Sequence, residues 1–585
     1  MIWTSGRWRR ARLRGVFRDV GDRLSDHEGE SDGALPEECD DCWGGVGIRG
    51  GGAYRAPLRG GVTGTGARAA RGPARPGIVS QAGLILGGQI LSGVVAFVTT
   101  PIVALGLGAE QYGLYTVLFL FLGYAAALDL GLSFSLVKRI AEHDPERQRG
   151  AIESLVNAAA AVYATVALLF MLALVLGRSW VAHDVLKLPE RLVPTAEAAA
   201  LILACSVPFT TAITIFGALF RGLLRFEYVA LFSLMNGSLY AVGAAILVAS
   251  GAELRALLGL YAGLMAASSL AQWVVLRRLL PGLRIVPTLQ RSTLRELFAF
   301  GSFMMFNQVG QIALLQLDRV VISRLLSVAM TAYYAVPLSI SQRVGMLGAA
   351  AATVAFPRSS GSLARGELHA FRREYLHSTR VVAWLTVAPA LVVIVFADKL
   401  LTFWMSPAFA ANGTVPLRLL SFAAFWIAVA SLGAVSIEGS GRPWVTSAFI
   451  AFSAALNVIG LLVLTPRRGL DGAAASVTIA LLVLAALNVW YCGRKVTAAS
   501  VREWVRSVVL PVIWTTFAGL PVALLLRQTV TGVPSLVVSA SVAAGFACVV
   551  GYWVFLSAEE RRWAKARVAR LWSRANVAGN DAGGG

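Results

Sequence analysis

The chain has 585 residues, 57% hydrophobic and only 14% charged, with a net charge of +20 at pH 7. Soluble domains carry roughly 25% charged residues, so this composition excludes a string of soluble domains and makes lipid the main solvent. The basic charge, which in a soluble protein would point to nucleic acid, sits mostly in short stretches between apolar runs. There it reads as topology control and contact with anionic headgroups, and no nucleic-acid partner is expected.

Residues 1–77 are Gly- and Arg-rich, with an acidic block over 19–41 and no sustained periodicity. They read as a disordered cytoplasmic tail or as an over-extended start ahead of a beginning near residue 78. No apolar run follows the basic start, so the segment does not read as a secretory signal. Cys39 and Cys42 form a C-x-x-C without a second pair or a histidine cluster. A zinc site takes about four ligands, so no metal is expected. Cys205, Cys492 and Cys548 read as small core residues.

From about residue 80, apolar runs recur near the ~20 residues that cross ~30 Å of hydrocarbon. They lie near 80–105, 113–136, 154–176, 196–220, 229–250, 255–276, 297–321, 329–356, 381–403, 415–437, 443–465, 470–493, 507–527 and 534–556. The ten-residue alternation of a barrel is absent, so the predicted fold is an all-α polytopic membrane protein of about fourteen spans. The loops after even-numbered spans carry 21 Lys and Arg; the opposite loops carry nine, leaving aside Arg324, which is grouped with the charges of span seven. The positive-inside rule then puts both termini in the cytoplasm. The segment 559–574, EERRWAKARVARLWSR, reads as a basic amphipathic helix on the inner leaflet or as a soluble cap.

A weak internal echo relates the halves. LGLGAEQYGLYTV (105–117) aligns with RLLSVAMTAYYAV (324–336), so that Gly108 faces Ser327, Gly113 faces Ala332, Tyr115 faces Tyr334 and Val117 faces Val336. Gly217-Ala218 echoes Gly433-Ala434. The predicted organisation is a six-helix bundle over 78–280, a second over 291–496, two further helices over 500–556 and a basic tail over 557–585.

LGLGAEQYGLY (105–115), LDLGLSFSLVKRIAE (128–142) and LDRVVISRLLSVAMTAYYAV (317–336) carry a family resemblance. The chain resembles the polysaccharide-transport branch (O-antigen or exopolysaccharide flippases, Wzx-type) of the multidrug/oligosaccharidyl-lipid/polysaccharide exporter superfamily, over roughly 80–556. Its second half has Ala-Tyr-Tyr where the branch has Gly-x-Tyr. The resemblance implies two six-helix bundles around a central cavity. It also implies alternating access on undecaprenyl-pyrophosphate-linked oligosaccharide for lipopolysaccharide or exopolysaccharide synthesis in a bacterial inner membrane. The polysaccharide polymerase and glycosyltransferases are then the expected protein partners.

No hydrolase or transferase constellation is present and no P-loop, so the chain is not expected to be an enzyme or to bind ATP. Coupling would draw on a proton or sodium gradient or on the substrate's own gradient. Ionisable groups inside spans are costly and therefore informative. Arg343, Arg319 and Arg324 are the candidate ligands for an anionic pyrophosphate or acidic sugar, because guanidinium forks match phosphate oxygens. Asp318 reads as their counter-ion or as the ion carrier; a purely structural Asp–Arg pair is the other reading. Asn307, Gln311 and Asp318 fall on one helical face by 3.6-residue spacing, which suits sugar hydroxyls or interhelical bonds. Asp129 and Glu438 read as pairing or capping groups at the cytoplasmic end. Pro337 and Pro101 are the candidate hinges, with Pro208 and Pro389 also inside spans. His143, His183, His369 and His377 are expected in loops, and Trp384, Trp404 and Trp426 as interfacial anchors. Three rivals remain: a cation-coupled drug antiporter, which should show acidic charge in the first half; a lipid II flippase of similar architecture; and a multi-pass glycosyltransferase or polymerase, which should show periplasmic catalytic carboxylates.

Overall fold

Backbone N–H and C=O groups in hydrocarbon have no water to turn to, and every described element of regular structure is accordingly helical. The computed structural model describes residues 78–127, 129, 131–142, 148–288, 307–364, 367–556 and 561–562. The tail 1–77 with its C-x-x-C, the start of span seven, His143 and all of the segment 559–574 except Arg561 and Arg562 lie outside them. Ten helices among the described residues are long and apolar enough to cross a membrane. Leu169, Leu176, Ile246, Phe517, Leu525 and Val538 are each more than half exposed along these helices. Apolar exposure on that scale is tolerable only against lipid.

The helices are α1 (Ile78–Ala127), α2 (Leu132–Glu142), α3 (Arg149–Trp180), α4 (Val193–Gly222), α5 (Phe226–Ala249) and α6 (Leu254–Leu279). After a helical stretch over 307–315 come α7 (Leu317–Leu325), α8 (Val328–Ala364), α9 (Leu368–Val395), α10 (Ala397–Trp404), α11 (Pro407–Gly439) and α12 (Pro443–Tyr491). α13 (Val501–Gln528) and α14 (Val533–Phe555) complete the series. Predicted spans one and two are the two arms of α1, and spans eleven and twelve the two arms of α12. Each pair is joined not by a loop but by one glycine in the left-handed region, Gly108 at φ +73° and Gly469 at φ +57°. Glycine alone takes that geometry without a Cβ penalty. The arms of α12 run back along one another: Ser476 Oγ donates to the Asn457 carbonyl at 2.9 Å, and a Cβ on Gly472 would lie 2.1 Å from the Leu464 carbonyl oxygen.

α9 begins at Leu368, thirteen residues before the predicted start at 381. The extension LHAFRREYLHSTR is charged, and hydropathy alone does not register it. Its Phe371, Tyr375, Leu376 and Thr379 recur at helical spacing and are buried. His369 and His377 therefore lie on this helix rather than in a loop.

Asp129 starts α2 as a cap, as its position suggested. Its carboxylate accepts from the Ser133 backbone N at 3.1 Å and from the Ser133 hydroxyl at 2.5 Å, and Tyr163 of α3 donates to it as well. Asp129→Ala removes the cap and strands two hydroxyls. It should cost roughly 1–3 kcal/mol, read as a lowered melting midpoint of the purified protein, whereas an unchanged midpoint would show the cap to be dispensable.

α1 and α8 pack closely against one another. A Cβ on Gly113 would lie 1.9 Å from the Val328 carbonyl oxygen and 3.5 Å from the Ala332 N. Gly113 and Ala332 are the two positions that the internal echo aligned, and in the fold they are neighbours. Val103, Tyr112, Ala332, Val336, Leu401 and Leu417 form one buried cluster across this junction. Phe97 of α1 stacks on Trp404 of α10 at 4.2 Å between ring centroids.

Candidate functional site

Two polar regions emerge, and the sequence-predicted residues divide between them. The first lies where α7 and α8 meet α1. Arg319 on α7 and Arg343 on α8 are both close enough to Tyr112 of α1 for their charges to act on it. Among the described residues, each guanidinium has a buried Nε without a hydrogen-bond partner, and Arg343 Nη1 donates only to the Ser339 carbonyl of its own helix, at 2.8 Å. Both are therefore incompletely satisfied cations at the junction of the halves. Asp318 beside them is fully buried and accepts from the Tyr334 hydroxyl at 2.7 Å and from the Arg319 backbone N at 2.8 Å. Its side-chain partner among the described residues is thus a tyrosine on α8 rather than an arginine, which pins α7 to α8.

Arg324 does not join this pair. It is exposed at the end of α7 and donates to the Asp184 carbonyl in the turn after α3. A neighbouring bond, from Ser323 Oγ to the Leu186 carbonyl at 3.5 Å, ties the same two segments.

The second region is a cavity of about 270 Å³ between the 307–315 stretch, α11 and both arms of α12. Asn307 and Gln311 line it with Ser431, Glu438, Thr446 and Asn488. The shared face predicted for Asn307, Gln311 and Asp318 is broken by a turn at Gln316, whose φ/ψ of −133°/−22° leaves the helix. Asn307 and Gln311 consequently face the cavity while Asp318 turns to α8. Leu314, which lines it, is tied to α12: Asn457 Nδ2 donates to the Leu314 carbonyl at 3.1 Å, and Asn457 Oδ1 accepts from Ser476 at 3.0 Å. Glu438, expected as a cap or pairing group, instead opens onto this cavity.

Of the two candidate hinges, Pro101 sits within a helical arm of α1, and the break in that element falls seven residues later at Gly108. Pro337 is buried in α8 against α11, where a Cβ on Gly413 would lie 3.0 Å from its ring. Gly433 lets α12 approach α11 closely, at 3.3 Å from its Cβ position to the Asn488 carbonyl oxygen, whereas its aligned Gly217 meets only the Arg221 side chain at 3.9 Å.

The three tryptophans expected at the interface are half-buried and each also contacts a neighbouring helix. Trp384 Nε1 donates to the Cys548 carbonyl at 3.0 Å, Trp404 stacks on Phe97, and Trp426 lies 5.1 Å from Phe425 and 6.4 Å from Trp504 between centroids. Exposed tryptophans occur elsewhere, at Trp180, Trp444, Trp514 and Trp553. Sequence reasoning also missed an aromatic cluster beside Tyr112. Phe119 lies 4.6 Å from Tyr115 and 5.0 Å from Tyr261, and Tyr240 donates to Tyr115 at 3.2 Å. Only Tyr115 carried a signal, through the internal echo.

Helices of this number, length and apolar exposure, kinked at glycines, make a polytopic membrane protein. A family model described as polysaccharide biosynthesis protein matches residues 78–362. A Shigella flexneri protein assigned as an O-antigen transporter is 24% identical over 414 residues, covering 69% of this chain and 95% of that protein. The membrane protein EpsK of Bacillus subtilis, itself uncharacterized, is 24% identical over 332 residues, 55% of this chain and 64% of its own length. Among solved structures, the lipid II flippase MurJ in an inward closed conformation superposes with a TM-score of 0.65 at 11% identity, covering 80% of this chain and 98% of MurJ. An inward-facing multidrug MATE transporter of the MOP superfamily gives 0.60 at 14% identity, with 72% and 98% covered. The fold is that of these solved transporters, and the sequence is similar to the polysaccharide biosynthesis family over 78–362 and to the Shigella protein.

Proposed function

We propose that the protein is a flippase that moves undecaprenyl-pyrophosphate-linked oligosaccharide across a bacterial inner membrane by alternating access, with both termini in the cytoplasm. The observation that carries this reading is the pair of incompletely satisfied guanidinium groups, Arg319 and Arg343, beside Tyr112 where the two halves touch. A phosphorylated head offers the acceptors these forks lack, and aromatic faces suit the apolar faces of sugar rings. Arg324, exposed at the far end of α7, would meet the same head at the outer surface. Asn307 and Gln311 would hydrogen-bond sugar hydroxyls. The half-and-half contact at Gly113 supports two bundles rocking about their junction, with α13 and α14 as an appendage; Pro101 and Pro337 would lend flexibility on either side of it. The Shigella relative supports a repeat unit of a surface polysaccharide as cargo, delivered by glycosyltransferases and consumed by a polymerase.

Proteoliposomes test this directly. Purified protein should move a fluorescent polyprenyl-pyrophosphate-linked oligosaccharide between leaflets at a rate well above that of empty vesicles. Lipid II run in parallel separates the cargo: if lipid II alone moves, the cargo assignment fails while the flippase mechanism stands, and if neither moves, both fail.

Asp318 would serve as counter-charge to Arg319, held by Tyr334. Tyr334→Phe should then cost roughly 1–3 kcal/mol of stability and leave any proton or sodium dependence of transport unchanged. Loss of that dependence in the variant would instead make Asp318 the ion carrier.

A further inference from the structure

A hollow of about 500 Å³ lies where the end of α7, the start of α8, the start of α11 and the break of α12 converge. Hollows of this size hold small ligands. In the proposed topology all of these points lie at the outer face, opposite the basic loops. Leu326, Met330 and Leu470 supply the apolar part of the lining, and Ser327, Asn412, Arg468 and Asp471 the polar part. The left-handed Gly469 lies between Arg468 and Asp471 and lines the hollow with them.

Each polar group here has hydrogen-bonding capacity to spare. Asn412 Nδ2 donates to the Ala408 carbonyl of its own helix at 2.9 Å, so its Oδ1 is turned the other way and accepts from no described residue. Ser327 Oγ accepts from the Met330 N at 3.2 Å, and its proton has no acceptor among the described residues. Neither Arg468 nor Asp471 forms an ion pair or a hydrogen bond among the described residues. Their charges cancel, so an ion of either sign would be held by one and repelled by the other. A neutral ligand meets no such conflict. The set offers donors from Arg468 and Ser327 and acceptors from Asp471 and Asn412. A hydroxyl both donates and accepts, and its bonds to charged partners are the stronger kind. Sugar rings carry several hydroxyls side by side, with an apolar face left over for Leu326 and Met330.

We propose that this hollow is an outer saccharide subsite, where Asp471 and Arg468 hold neutral sugar rings of the transported glycan and Asn412 and Ser327 complete the hydrogen bonds. The proposal rests on the flippase reading and adds to it a place where the glycan settles after crossing. Arg324, exposed at the same end of α7, directly precedes Leu325 of the lining. A pyrophosphate held at Arg324 would therefore leave its sugars within reach of the hollow. Occupancy would favour the outward side of the cycle to the extent that the glycan binds it more tightly there.

The probe is lipid-free oligosaccharide, released by mild acid from the lipid-linked pool of cells that make this protein. It is added to the full-length protein in phosphatidylcholine nanodiscs, which carry no sugar-headed detergent. Saturation-transfer NMR should show weak, saturable binding. Asp471→Asn should raise the Kd at least about tenfold, because hydrogen bonds to a charged acceptor are lost. Arg468→Lys should weaken binding severalfold by removing the planar fork. Arg467→Gln, a neighbour outside the lining, should leave it unchanged. All of these side chains are exposed, so the variants should melt with the wild type. An absence of saturable binding would overturn the proposal. So would a loss in the Arg467 variant equal to that in Asp471→Asn, or displacement by phosphoethanolamine at comparable concentration, the mark of a zwitterionic lipid headgroup. The interleaflet transfer assay keeps the two readings apart. Transfer without saccharide binding removes the subsite alone, whereas binding without transfer leaves a saccharide site and removes the flippase reading.

Discussion

Arg343→Ala is expected to lower translocation of the lipid-linked oligosaccharide by about 100-fold or more at an unchanged level of protein in the membrane. A hydrogen bond to a charged group contributes about 1.5–3 kcal/mol, and losing both arms of a fork to pyrophosphate would remove about 3 kcal/mol. At about 1.4 kcal/mol per factor of ten, the estimate follows. Stability should change little, because the only bond that Arg343 makes among the described residues runs to Ser339 on its own helix, and its buried Nε is already without a partner. Arg343→Lys keeps the charge and loses the planar fork, so it should fall between, roughly tenfold below the wild type. Adding Arg319→Ala should bring little further loss if the two cations hold one head, since groups sharing a ligand are not additive. The measurement is the interleaflet transfer rate in proteoliposomes, with membrane content checked by quantitative blotting. An Ala variant within twofold of the wild type would remove the arginine pair from the binding site.

How much of this was legible in the sequence depends on which physical signal carried it. Each predicted span has a helical counterpart among the described residues because apolar length is a one-dimensional property. The breaks at Gly108 and Gly469 also sit at glycines, where a positive φ is cheapest. Lateral placement is another matter. Trp384 and Trp404 have the composition of interfacial anchors, but their contacts with Gly551 and Phe97, far away in the chain, were not legible. The polar stripe of Asn307 and Gln311 was visible by helical spacing. Its extension to Asp318 failed at one residue, Gln316, whose departure from the helix no periodicity reveals. Glu438 read as a helix-end group because Gly439 and Gly441 follow it. Only the three-dimensional approach of α12 at Gly433 turns that end toward a cavity shared with Thr446 and Asn488. Asp129 was legible as a cap from its neighbours, whereas its bond from Tyr163, 34 residues on, was not.

Gly113→Val should impair transport by about tenfold or more by holding the two halves apart, and the reason lies in the echo between them. Val328's carbonyl oxygen would lie 1.9 Å from a Cβ at position 113, and its carbonyl carbon 2.8 Å away. Both are backbone atoms that cannot rotate aside, so the contact must open. Overpacking of this kind typically costs about 1–3 kcal/mol, which is enough to move a two-state equilibrium by about 5- to 150-fold. In the proposed topology Gly113 and Val328 lie near the outer face, so the variant should favour an outward-open state. Val328→Cys provides the gauge: Val328 is only 4% exposed, and a cysteine there should react slowly with a membrane-impermeant maleimide in the otherwise native protein and at least about tenfold faster beside Gly113→Val. Gly259→Ala serves as the control, because a Cβ there meets nothing within 4 Å; it should leave both labelling and transport unchanged. If labelling at position 328 stayed slow while transport collapsed, the substitution would be acting through misfolding rather than through the seal. If labelling rose and transport did not fall, closure at this junction would be no part of the cycle. The echo and the contact then explain each other. An internal duplication would bring equivalent points, Gly113 and Ala332, to the same junction, and a contact this close leaves no room for a side chain at position 113.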